Sequence, residues 1–255
     1  MALTISNLPD DVIVEILSLV PAAQLIHSCK LVCVLWKNII DLPTLWKRKS
    51  QQEGFASKAC KRNPHDWRTF YFISKKKKNL LKNACADEGL DSWTIQENGG
   101  NGWKTETLPG NHGRTFHDPQ VLKYFVTSYG ECKKSQIIDL KQEGYWEELM
   151  DEIQPEIEIK DWYAARHDCG CQYQLCVQLL SQDYIVCQEF HPDLVVFEQW
   201  SDAEWREITH RFRNYGPGVR YICFQHGGQD TQFWRGWYGV RLTGSSVTVM
   251  PEELM

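Results

Sequence analysis

Apolar residues recur at helical spacing through the first fifty positions and in strand-like alternation after Cys85. Over residues 8–19 (LPDDVIVEILSL), continuing to Val20, the positions Val12, Ile13, Ile16, Leu17 and Val20 share one side and predict a helix. Pro9 suits its first turn, Asp10, Asp11 and Glu15 complement its positive end, and Pro21 closes it. A second helix is expected over residues 22–33, with Leu25, Ile26, Cys29 and Val32 on one side. A third runs through Trp36, Ile39 and Ile40 and breaks before Pro43. The three carry more apolar positions than so small a bundle can bury. Either a partner surface or a second domain capped by the bundle is implied.

Residues 51–83 are Lys-rich, with Trp67, Phe70, Tyr71, Phe72, Leu80 and Leu81 as the apolar positions. Asp66-Trp67-Arg68 opens a helix and residues 79–82 continue it, so the segment reads as a helical linker. After Cys85 come short alternating runs: Trp93-Thr94-Ile95, Gln136 to Leu140, Ile157-Glu158-Ile159, Tyr173 to Leu179 and Glu207-Ile208-Thr209. Turns such as Asn98-Gly99-Gly100, Asp168-Cys169-Gly170 and Gly216-Pro217-Gly218 separate them, and residues 144–150 (GYWEELM) read as one short helix. The pattern is that of an antiparallel sandwich.

Near the end, residues 219–224 and 238–242 read as strands around the turn Gly227-Gly228-Gln229-Asp230 and the aromatic tip Phe233-Trp234-Arg235. Such a tip either covers the end of a sandwich or presents a flat apolar surface ringed by hydrogen-bonding groups, as sugar recognition requires.

Composition narrows the function classes. A net charge of −5 without a basic stripe disfavours nucleic acid, and the four lysines 75–78 read as the wet face of the linker helix. No stretch has the length and apolarity to cross a bilayer, and the N-terminus lacks the basic and apolar regions of a signal peptide. The ten cysteines are scattered as reduced packing residues are, and no Asn-x-Ser/Thr acceptor occurs. A cytosolic location is expected, and neither cofactor nor resident metal.

Leu8-Pro9, Ile16-Leu17, Leu25, Val32-Cys33, Trp36, Ile39-Ile40 and Trp46 resemble an F-box over residues 4–50. F-box proteins dock on the Skp-type adaptor of a cullin–RING ubiquitin ligase. The resemblance implies that Leu8, Pro9, Leu17, Leu25, Val32, Cys33 and Trp36 supply the apolar interface to it. The phrases CADEGLDSW, KYFVTSY, IDLKQEGYWEELMDEIQPEIEIKDWYAAR, CGCQYQL, YGPGVRYICFQHGGQDT and GWYGVRLTGSSV resemble the F-box-associated domain of the sugar-recognising F-box proteins, over residues 84–250. The fold so implied is α+β in two domains: a small three-helix F-box and helical linker (51–83), then a jelly-roll, galactose-binding-like β-sandwich.

Members of this family that bind sugar take the chitobiose core of high-mannose N-glycans. They deliver misfolded glycoproteins for ubiquitination in endoplasmic-reticulum-associated degradation. By position, the glycan-binding residues implied here are Tyr129, Asp168, Phe233, Trp234 and Arg235. The family's sugar binders usually carry Tyr-Trp-Lys where this chain has Phe233-Trp234-Arg235, so one hydroxyl is missing. The insert after Leu180 (SQDYIVCQEFHPDLVVFEQW) also departs from the family's text. The function implied is a non-catalytic substrate receptor; the alternative is a receptor for a protein surface with little or no glycan binding.

Two other constellations stand beside this one. His167, Cys169, Cys171 and Cys176 crowd one stretch, but their spacing matches no zinc-ligand pattern. Asp168 with Asp230 or Glu189 would have to form the acid/base pair of a glycosidase, and nothing in the sequence places two of these carboxylates at a working distance.

Overall fold

The computed structural model describes residues 8–57 and 63–253; residues 4–7 of the expected F-box and 58–62 of the expected linker lie outside them. The chain divides into two compact units, a helical one ending at Lys77, joined by the C-terminal residues from Met250, and Lys78–Val249.

In the helical unit α1 spans Asp10–Ser18, α2 Ala22–His27, α3 Val34–Ile40, α4 Pro43–Gln52 and α5 Trp67–Lys76. The helix expected over residues 22–33 stops at His27, and a 3-10 turn, Cys29–Leu31, leads to α3. The third helix ends at Ile40, before Pro43 as expected, and Pro43 then opens α4, because a proline in the first turn gives up an amide that has no helical partner there. Trp46 on α4 is the hub of the core: it is 1% exposed and its Nε1–H donates to the Ile40 carbonyl at 2.8 Å. Its ring meets Tyr71 and Phe72 of α5 at 5.4 and 5.2 Å. Lys49, one turn on, is buried and donates to the carbonyls of Ser18 and Val20 at 3.0 and 2.9 Å, so it terminates α1. Asp66 caps α5 by accepting from the amides of Arg68 and Thr69 at 3.1 and 3.0 Å. The expected continuation over residues 79–82 is not helical. There the Leu80 amide donates to the Val247 carbonyl at 2.8 Å, and Leu80 and Leu81 are buried.

The second unit holds eleven strands among the described residues: β1 Thr94–Asn98, β2 Lys104–Thr107, β3 Lys123–Val126, β4 Cys132–Asp139, β5 Ile157–Ala164, β6 Cys171–Leu180, β7 Val186–Phe190, β8 Val195–Phe197, β9 Arg206–Phe212, β10 Tyr221–Asp230 and β11 Arg241–Val249. They form two antiparallel sheets. One has the order β1-β4-β10-β6-β7, with β8 also pairing β6, and the other β2-β3-β11-β5-β9. The expected sandwich is therefore the observed architecture. Alternation of burial along β5 and β6, broken only at their last residues, turns Ile157, Ile159 and Tyr163 of one sheet toward Tyr173, Leu175, Val177 and Leu179 of the other.

Several local expectations change. The Gly227–Asp230 turn is the end of β10, and its glycines are required because a Cβ on Gly227 or Gly228 would collide with the Cys132 and Gln172 carbonyls of the flanking strands. The strand expected at residue 238 begins at Arg241, and the one expected at 219 begins at Tyr221. The short helix expected over 144–150 is centred later, on a π-helical turn, Leu149–Ile153.

The sandwich core is not wholly apolar. Asp161 of β5 is fully buried and accepts from Tyr173 Oη (2.8 Å) and Ser245 Oγ (2.7 Å), and it pairs with His226 Nδ1 (2.7 Å). The His226 ring stacks on Trp93 at 5.0 Å. The buried Nζ of Lys134 lies 3.1 Å from the Trp93 ring centroid and 3.6 Å from that of Phe125, and burial holds its pKa well below the usual lysine value.

Candidate functional site

At one end of the sandwich, loops from three places are tied together by backbone hydrogen bonds. The segment between β10 and β11 is held at its root by Asp230, which is fully buried. Its Oδ1 accepts from the amides of Gln232 (3.0 Å) and Phe233 (2.6 Å). These bonds set a tight turn that puts Phe233 in the left-handed region (φ 55°) and throws its ring outward, 73% exposed. Trp234 follows, 38% exposed, and packs edge-on against Tyr238 at 5.5 Å. Arg235 is exposed.

The loop after β3 joins through Ser128, whose carbonyl accepts from the Asp230 amide (2.9 Å) and whose hydroxyl donates to the Gly236 carbonyl (2.6 Å). Tyr129, half-buried, is the next residue. The turn between β5 and β6 joins where the Thr231 amide donates to the Gly170 carbonyl at 3.0 Å. That turn carries Asp168, gripped by Arg166 through Nε–Oδ1 at 2.9 Å and Nη2–Oδ2 at 3.0 Å. Arg166 in turn lies over the Tyr238 ring at 4.6 Å. The chain Asp168–Arg166–Tyr238–Trp234 thus links the acid to the indole.

The structure brings the loops bearing Tyr129, Asp168, Phe233, Trp234 and Arg235 to one end of the fold. Of the residues that join them, Arg166, Tyr238 and Ser128 were missed from the sequence, and Asp230 was read there only as a turn residue and an acid/base candidate. Arg166 left one legible signal, an arginine two positions before the candidate acid. The hydrogen bonds from Arg166 hold the Asp168 carboxyl below its usual range, so it is a charged acceptor at neutral pH. Burial pushes the Asp230 carboxyl up. An exposed indole beside a charged acceptor suits a ring with an apolar C–H face and hydroxyl edges.

The other constellations separate. Cys169 and Cys171 are buried thiols, and burial pushes Cys169 up to about 12. Cys176 lies farther along β6 and, among the described residues, gathers instead with Glu189 and His191, whose candidate ligand atoms fall within 4.8 Å of one another. Of the suggested acid/base carboxylates, Asp168 is paired with Arg166, Asp230 braces its loop, and Glu189 on β7 accepts from Gln178 at 2.5 Å.

In the helical unit, Leu8, Val12, Ile16, Leu19, Leu31, Val32 and Val34 are exposed, with Val32 63% and Leu31 81% accessible. This is a large apolar surface for a unit of five short helices. Residues 71–249 match the family described as the F-box associated region, and residues 5–52 match one described as F-box-like. The chain belongs to the F-box associated family. It is 56% identical to F-box only protein 6 of Rattus norvegicus, covering 96% of this chain and 86% of the relative. Identity is 54% to F-box only protein 44 of Homo sapiens, covering 97% of each, and 49% to F-box only protein 2 of Bos taurus, covering 97% and 84%.

Within the F-box, the seven residues expected at the adaptor interface divide. Leu8, Pro9, Val32 and Cys33 are exposed, and Trp36 is half-buried. Leu17 and Leu25, at 1% and 0%, correct that expectation: they lie in the core with Ile13, Ile39 and Ile40 and support the face from beneath. No helix among the described residues is long and apolar enough to cross a membrane.

Proposed function

We propose that this F-box protein is the substrate-recognition subunit of a Skp–cullin–F-box ubiquitin ligase, and that its sandwich binds the chitobiose core of high-mannose N-glycans on misfolded glycoproteins. The observation that carries the glycan reading is the exposed Trp234 indole, braced by Tyr238 and Arg166 beside the charged Asp168. The indole covers the C–H face of a pyranose, and Asp168 accepts from its hydroxyls, with Tyr129, Phe233 and Arg235 around them. The exposed apolar face of the helices supports docking on the Skp-type adaptor, and through it on cullin and RING subunits. The protein performs no bond chemistry of its own. It holds substrate lysines near a donor, which makes transfer effectively intramolecular. This work belongs on the cytosolic side of the endoplasmic reticulum.

Retention on a chitobiose-bearing resin tests the glycan reading. Wild type is retained and Trp234→Ala is not, while adaptor pull-down is the same for both. A wild type that passes through the resin ends the reading.

A second reading, a receptor for a protein surface, draws on the segment of β7 and β8. There Ile185, Val186, Leu194 and Val196 are all about half exposed or more. Substrate capture that survives enzymatic removal of N-glycans would favour it.

A further inference from the structure

Trp200 is among the most exposed large apolar side chains of the sandwich, 65% accessible, and takes a left-handed backbone (φ 68°) that a tryptophan seldom adopts. Its position follows from the strand order. β6 begins at Cys171, which pairs with Asp230 of β10 on one side and with Phe197 of β8 on the other. The Asp168 turn, immediately before β6, is therefore flanked by the continuations of both neighbours. On one side the chain runs from Asp230 to Trp234; on the other it runs from Phe197 to Trp200. The two flanking strands lie about 10 Å apart, twice the interstrand spacing.

The flanking is close. A Cβ on Gly170 would sit 2.5 Å from Thr231 Oγ1 on one side and 2.6 Å from the Phe197 carbonyl on the other. Gln199 Nε2 donates to the Asp168 carbonyl at 3.0 Å, which ties the Trp200 segment to the acid's own backbone. On this side His167 meets the Trp200 ring edge-on at 5.8 Å, and His112 Nε2 lies 3.8 Å from Asp168 Oδ2. His167 Nδ1 is held by the Ser201 carbonyl at 2.5 Å, which leaves Nε2 of the ring beside the second indole for a hydroxyl.

We infer that Trp200 is a second sugar-stacking platform, across Asp168 from Trp234, and that the site takes an oligosaccharide extending beyond the disaccharide held at Trp234. This rests on the glycan reading above. Trp234 and Asp168 hold the chitobiose, and Trp200 with His167 holds a following sugar. The isolated disaccharide does not reach Trp200, whereas a longer glycan does.

Binding of two glycans to the purified full chain by calorimetry tests this: chitobiose, and the same chitobiose bearing its three core mannoses. Wild type binds the pentasaccharide more tightly. Trp200→Ala leaves chitobiose affinity unchanged and weakens the pentasaccharide about three- to tenfold, the scale of one aromatic contact, and Trp200→Phe restores most of it. Trp234→Ala weakens both. Far-UV circular dichroism of each variant confirms the fold. A Trp200→Ala variant that binds both glycans as wild type does, or loses both equally, overturns the second platform while leaving the disaccharide reading intact. A wild type that binds neither glycan overturns both.

Discussion

Arg166 and Asp168, two positions apart in the turn between β5 and β6, close a two-point ion pair with the guanidinium laid over Tyr238. Both side chains are largely shielded from solvent, at 10% and 17% exposure, so the pair orients the carboxylate rather than decorating the surface. Arg166→Met frees that carboxylate and removes the support under Tyr238. Chitobiose affinity, measured by calorimetry, is expected to fall about tenfold, the scale of one charge-assisted hydrogen bond. Arg166→Lys recovers only part of this, because an ammonium cannot make the two-point contact.

Asp230 acts on the aromatic loop through its backbone. Asp230→Ala leaves the amides of Gln232 and Phe233 without their acceptor, at a cost of roughly 1–2 kcal/mol, and lets the loop unwind. Asp230→Asn keeps an oxygen for both amides and removes a buried charge. The expected outcome is a lower melting temperature and lost resin retention for the alanine variant, with both preserved in the asparagine variant.

The helical unit separates surface from core. Val32→Glu places a charge on the exposed apolar face and is expected to abolish adaptor pull-down while changing stability by less than about 0.5 kcal/mol. Trp46→Ala empties the hub of the core and costs about 3–5 kcal/mol, so adaptor binding is lost through unfolding. Thermal melts beside the pull-downs distinguish the two causes.

His226 gives the sandwich an acid limit. Burial, opposed by Asp161 and reinforced by Lys134, lowers its pKa from 6.5 to about 4. The folded protein therefore holds the neutral ring while the unfolded chain takes up a proton, so stability is full above about pH 6.5. It falls as pH drops toward 4, by about 1.4 kcal/mol per unit and on the order of 3 kcal/mol in all. Denaturant midpoints across pH 4–7 should show this slope. In His226→Gln it should flatten markedly, since the titrating ring is gone.

Periodicity determined the broad plan of this chain. The 3.6-residue spacing of Ile13, Leu17, Ile39 and Ile40 and the alternation through β5 and β6 are local consequences of which face must be buried, and both survive in the structure. Motif resemblance named the residues that decorate the loops. What local pattern could not carry was pairing. Gly227 and Gly228 look like a turn in isolation and become strand only because β4 and β6 press on them from either side. Leu17 and Leu25 look like interface residues by position, yet they are buried in one helical core with Ile13, Ile39, Ile40 and Trp46. Trp200 lies in an insert with no motif at all. Its place beside Asp168 exists only because β8 and β10 both pair with β6, a relation between segments far apart in sequence that hydrogen bonding across the sheet alone decides.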